Sequence, residues 1–141
     1  MNRSVKITVI DGQGGQLGAQ LVKEILSGFE GVSLTAIGTN ATATSAMLKA
    51  GAKNAATGEN PVIVACRSAD FIIGPLGIVI ADSLLGEITP KMAVAVGQSP
   101  AVRILVPMNK CDSLVAGVFG VSTASLVADV ISKLKNMMPN T

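Results

Sequence analysis

Val5 to Gly18, VKITVIDGQGGQLG, is the stretch on which the rest of the chain turns. Val5, Ile7, Val9 and Ile10 make a β-branched, almost wholly apolar run, as a central parallel strand covered on both faces should be. Gly12, Gly14, Gly15 and Gly18 then crowd together. Beyond them Leu17, Leu21, Val22, Ile25, Leu26 and Phe29 fall on one helical face, with Gln20, Lys23, Glu24 and Ser27 on the other. The stretch reads as strand, phosphate-sized turn, helix. The first amides of such a helix lack intrahelical partners and carry the positive end of its dipole, so an anion can rest on them.

A second unit of the same kind follows. Val32 to Ile37 reads as a strand ending in Gly38-Thr39-Asn40, and Thr42 or Thr44 is placed to cap a helix sharing Ala43, Ala46, Met47 and Ala50 on one face. Lys53 to Ala56 suits a short edge strand. Asn60-Pro61 opens a helix running towards Arg67, Asp70 to Gly74 is a strand, and Pro75 interrupts the chain. Ile78 to Leu85 is apolar enough for a buried helix. Thr89-Pro90 starts another, and Val102 to Val106 is a strand. Only Pro107 to Ser113 separates it from the strand-like Leu114 to Phe119, too little for a parallel return, which predicts an antiparallel edge strand there. Ser122 or Thr123 caps a last helix carrying Leu126, Val127, Val130, Ile131, Leu134 and Met138 on one face. Asp129 and Lys133 lie one turn apart on its outer side.

This alternation predicts one α/β domain over residues 1–141: a doubly wound, mostly parallel Rossmann-like sheet with an antiparallel edge strand near the C-terminus. In such sheets ligands bind beyond the carboxyl ends of the strands. That edge would gather Asp11 to Gly15, Gly38 to Asn40, Gly74 to Gly77 and Pro107 to Asn109.

Composition narrows the function. The net charge is +2 and three Phe are the only aromatics, which argues against a nucleic-acid partner. Hydrophobic residues are 49% of the chain and charged ones 14%, which suits a sheet buried on both faces and a homo-oligomeric interface. The longest uncharged apolar stretch, Phe71 to Ala81, is too short to span a bilayer, and the N-terminus lacks signal-peptide character. No membrane partner and a cytoplasmic location are expected. With no His in the chain and Cys66 and Cys111 in no CxxC pair, no metal site is expected and both cysteines read as reduced thiols.

The glycine turn is spaced G-x-G-x-x-x-G, near to a dinucleotide turn without matching it. Gly38-Thr39-Asn40 stands where an acid would read the ribose of NAD, and no Arg nearby welcomes an NADP phosphate, so neither cofactor is assigned. Taken together, VIDGQGGQLG, GTNATATSAMLKAGA, NAATGEN, GPLGIVIADSLLGEITPKMA and ILVPMNKC resemble a family of short uncharacterised bacterial proteins, many from spore-forming and other anaerobic lineages. The resemblance spans nearly the whole chain and implies no activity, cofactor or functional residue.

Candidate ligand-binding residues are Asp11, Gly12, Gln13, Gly14 and Gly15 at the first turn, Thr39, Asn40, Thr42 and Thr44 at the second, and Gly74 and Pro75 at the end of the next strand. Thr39, Asn40, Thr42 and Thr44 equally suit ordinary caps and turns. Asp11 can cap the turn, bind ribose or magnesium, or act as a base. Asp82, Glu87 and Lys91 lie in an apolar stretch, where a carboxylate of raised pKa can work as acid or base and Lys91 can hold an anion; solvent-facing positions on two short helices are the more ordinary explanation. Asn109, Lys110, Cys111 and Asp112 are placed to add a polar wall. Without His or Tyr, Ser-His-Asp hydrolysis, Cys-His proteolysis and Tyr-Lys reductase chemistry are excluded. The expected function is binding of a phosphorylated or other anionic metabolite, or a nucleotide, at the glycine turn; the alternative is an oligomeric interaction protein working through an apolar surface.

Overall fold

The structure is a computed structural model that describes residues 3–108 and 113–138. Five strands, β1 (Lys6–Asp11), β2 (Ser33–Gly38), β3 (Asn54–Thr57), β4 (Phe71–Pro75) and β5 (Val102–Val106), form one sheet in the order β3-β2-β1-β4-β5. Every neighbouring pair is parallel. Five α-helices connect or flank them: α1 (Gln16–Gly28), α2 (Ala41–Lys49), α3 (Glu59–Cys66), α4 (Pro90–Gln98) and α5 (Thr123–Met137).

The period-two alternation of β1 feeds both sides of the sheet. Ile7 and Val9 pack with Leu21, Ile25, Met47 and Val130 of α1, α2 and α5. Ile10 packs with Val62, Met92 and Val96 of α3 and α4 on the opposite face. Central strands buried on both faces account for much of the apolar composition without recourse to an interface.

The expected antiparallel edge strand is absent: Leu114 to Phe119 forms no strand, and β5, parallel to β4, is an edge of the sheet among the described residues. Gly117 and Gly120 adopt φ of 87° and 50°, and the Val118 amide donates to Val115 O within the segment, so the extended run is broken into a turn. The helix expected over Ile78 to Leu85 is likewise absent. Only Leu76–Val79 makes a 3₁₀ turn after β4, and the chain then loops to Thr89. α2 is capped by Asn40, whose side chain accepts from the Ala43 amide, rather than by Thr42 or Thr44. α3 opens at Glu59 after Gly58, with Pro61 inside its first turn.

Elsewhere the sequence pattern and the fold agree. Thr89 caps α4 with Pro90 at its first position, and Ser122 caps α5. Asp129 and Lys133 pair on the exposed side of α5. No helix among the described residues is long and apolar enough to cross a membrane.

Candidate functional site

Register brings Asp11 beside Gly38 and Val9 beside Ile73, so the carboxyl ends of β1, β2 and β4 share one edge. The turn after β1 is held there by its own backbone and two carboxylates. Asp11 is 6% exposed. Its Oδ1 accepts from the Gly12 amide at 2.8 Å and its Oδ2 from the Gly18 amide at 2.6 Å. Burial raises its pKa most, against the lowering effect of the Gly18 and Gly12 amides, and the charge of Glu87 raises it further. With an amide on each oxygen, Asp11 is the cap of the turn rather than a free base.

Glu87 supplies the second carboxylate, from the loop that follows the 3₁₀ turn. Its Oε1 accepts from the Gln13 amide at 2.8 Å, the Thr39 hydroxyl at 2.5 Å and the Asn40 side-chain amide at 2.9 Å. Burial pushes the Glu87 pKa up, but the bonds from Gln13, Thr39 and Asn40 outweigh it and hold it below the ordinary glutamate value. One carboxylate oxygen thus sits where three donors from two βα turns converge, whereas the Gly18 amide in the first turn of α1, where an anion was expected to rest, is taken by Asp11.

Asn40 interlocks those turns. Its Nδ2 also donates to Gln13 O at 3.0 Å while its Oδ1 caps α2. Gly15, at φ 74°, lies against the second helix so closely that a Cβ would come within 2.7 Å of the Ala43 Cα. A Cβ on Gly12 would meet Thr39 Oγ1 at 2.7 Å and both Glu87 Oε1 and a Leu84 methyl at 2.9 Å. Leu84 and Glu87 therefore cover the turn. Gly14 is different: it is exposed, and a Cβ there meets nothing within 4 Å.

The covering loop is strained. Asp82, Leu84 and Leu85 all have positive φ, at 64°, 54° and 56°. Each non-glycine residue in that region costs about 1–2 kcal/mol. The loop closes on itself through Asp82 N–H to Ile88 O at 2.7 Å, Glu87 N–H to Leu84 O at 3.1 Å and Ile88 N–H to Ser83 O at 3.2 Å. Ser83 Oγ anchors its start on Gly77 O, and Thr89 secures its end by donating to Glu59 Oε1 at 2.6 Å.

The remaining candidates separate. Thr44 is buried and bonds to Asn40 O and the Thr57 hydroxyl, tying α2 to β3, while Thr42 is exposed on α2. Gly74 is buried where a Cβ would collide with Ile10 O, so its lack of a side chain serves the β1–β4 approach; Pro75 is buried at the end of β4. Asp82 is exposed, and its side chain makes no hydrogen bond or ion pair among the described residues. Lys91 is exposed at the start of α4, lining a hollow of about 520 Å³ between α3 and α4 with Arg67 and Val94. Neither joins the Asp11–Glu87 pair. Asn109, Lys110, Cys111 and Asp112 lie outside the described residues. Cys66 is buried, and burial pushes its thiol up to about 11, which leaves it protonated and unreactive at neutral pH.

Sequence reasoning weighed Glu87 as an acid or base and did not find its bond to the first turn. That contact spans 74 residues and leaves no local pattern. Leu84 as the cover of Gly12 was missed for the same reason.

The chain belongs to the family described as a domain of unknown function, DUF3842, whose model matches residues 6–139. No curated protein matches it.

Proposed function

We propose that the turn between β1 and α1 receives an oxyanion of a small metabolite, a phosphate ester or a nucleotide phosphate, at the place now taken by Glu87. The observation that carries this reading is the meeting of the Gln13 amide, the Thr39 hydroxyl and the Asn40 amide on one oxygen. Charge-assisted bonds of this kind are the stronger ones, and they suit phosphate as well as carboxylate oxygens. Gly14, open to solvent, adds a path of approach. An exchange of Glu87 for the ligand swaps one anion for another, so the site requires no cation. The end of β2 holds no acid for ribose, and Asp11 at the end of β1 is taken up by the Gly12 and Gly18 amides, which favours recognition through the phosphate.

Thermal-shift measurements with inorganic phosphate, sugar phosphates and nucleotides test the reading. A binding compound raises the melting temperature in proportion to the logarithm of its excess over Kd. Gly14→Leu, which the open space accommodates, retains the fold and removes the shift. A shift unchanged in Gly14→Leu moves the site elsewhere, and no shift with any compound rejects the reading.

A second reading, self-association through an apolar surface, draws support from one segment: Leu114 is 103% and Phe119 84% exposed, close in sequence to the exposed Val115, Val118 and Val121. Native mass spectrometry decides it. A monomer at micromolar concentration rejects it.

A further inference from the structure

We infer that Glu87 is an internal competitor for the site: its carboxylate latches residues 80–88 over the first turn, and an incoming oxyanion that takes its donors releases the loop. This rests on the phosphate-site reading above. Three features of the loop carry it beyond that reading.

Among the described residues the polar attachment is confined to one side chain. Among the described residues, the hydrogen bonds joining residues 80–88 to the β1 and β2 turns are those of Glu87 Oε1 to Gln13, Thr39 and Asn40. The rest of the cover is apolar: Leu84 lies above Gly12, and Leu84 and Ile88 are buried in the core with Ile10 and Val62.

The loop is also a self-bonded unit. Asp82, Gly86, Glu87 and Ile88 donate their amides to Ile88, Asp82, Leu84 and Ser83 carbonyls within it. Its two ends are anchored away from the turn, on Gly77 and Glu59, and hold it close for re-entry.

Finally, the closed form keeps bulky residues in an unfavourable backbone region. Leu84 and Leu85 stand at φ 54° and 56°, beside Gly86 at 89°. Such strain persists where surrounding contacts enforce it, and the Glu87 carboxylate is the contact available for exchange. A ligand oxygen offered to the same donors competes directly, because one position cannot hold two anions. Leu84, 6% exposed in the closed form, gives a readout of opening.

The experiment compares wild type with Glu87→Ala by phosphate titration in a calorimeter and by limited chymotrypsin digestion, scoring cleavage after Leu84. The variant is expected to bind inorganic phosphate about tenfold more tightly, the factor for a site open roughly one tenth of the time. It is also expected to be cut faster without phosphate, and saturating phosphate is expected to speed cutting of the wild type. Equal phosphate affinity in both proteins, with cleavage unaffected by ligand or substitution, overturns the latch while leaving the site reading intact. Absence of phosphate binding in both overturns the site reading and the latch with it. Should Glu87→Ala not fold, digestion of the wild type with and without phosphate decides: no acceleration at saturation rejects the latch.

Discussion

Gly15 and Gly14 are neighbours in one turn, yet substitution by alanine should affect them very differently. At Gly15 two costs combine. Its φ of 74° lies in the left-handed region, which costs a residue with a Cβ about 1–2 kcal/mol. The added methyl would also lie 2.7 Å from the Ala43 Cα and 2.9 Å from the Ala43 carbonyl oxygen. Those are backbone atoms of α2 that cannot turn aside, and overpacking of this kind costs about 1–3 kcal/mol. Gly15→Ala should therefore destabilise the protein by about 2–5 kcal/mol, a fall in melting temperature on the order of 10 °C. Gly14→Ala meets nothing within 4 Å and should change stability by no more than about 0.5 kcal/mol. Urea unfolding followed by far-ultraviolet circular dichroism measures both, since a chain with no Trp and no Tyr offers little fluorescence. If the two variants unfold within about 0.5 kcal/mol of each other, the contact between the first turn and α2 is not as described.

Three further outcomes follow from the same geometry. Asn40→Ala removes the α2 cap and both bonds of Nδ2, and should cost about 1–2 kcal/mol by the same urea assay; a loss indistinguishable from zero refutes the interlock. Thr89→Ala removes the acceptor for the Met92 amide and the bond to Glu59, with an expected loss of about 1 kcal/mol and faster digestion of residues 80–88; unchanged digestion counts against Thr89 as the anchor of the loop. Carboxyl NMR titration should place Glu87 below the ordinary 4.5 and Asp11 above 3.8. For Glu87 the folded pKa is depressed, so its stabilisation is complete above the unfolded value and is lost as pH falls through the folded one; for Asp11 the sign is opposite, and protonation favours the folded state. The reverse order of shifts contradicts the hydrogen-bond assignment.

The first crossover was legible because hydrophobic period changes from two to 3.6 across a glycine cluster, and that change is a property of neighbouring residues. β3 and β5, and the caps at Thr89 and Ser122, were legible on the same local grounds. The loop after β4 was not. Ile78 to Leu85 carries the apolar density of a buried helix, and nothing in Asp82, Leu84 or Leu85 announces a left-handed backbone, which in sequence is ordinarily signalled by Gly or Asn. Leu114 to Phe119 misled in the opposite sense, since its β-forming side chains outweighed Gly117 on paper but not in the folded chain. Of the candidate site, Asp11, Gln13, Thr39 and Asn40 were singled out from the turns they belong to. The role of Glu87 is tertiary and emerged only when the chain was folded.

Asp11 and Glu87 flank one turn, and neither forms an ion pair with a Lys or Arg among the described residues. Negative charge is held there by peptide amides and neutral side chains alone. An anion that entered beside Glu87 without displacing it would have to draw a proton or a cation from solution. Phosphate titrations in two buffers of different ionisation enthalpy, at a pH where phosphate is a single ionic form, detect the proton: uptake from the buffer adds the buffer's own heat, while displacement takes up none.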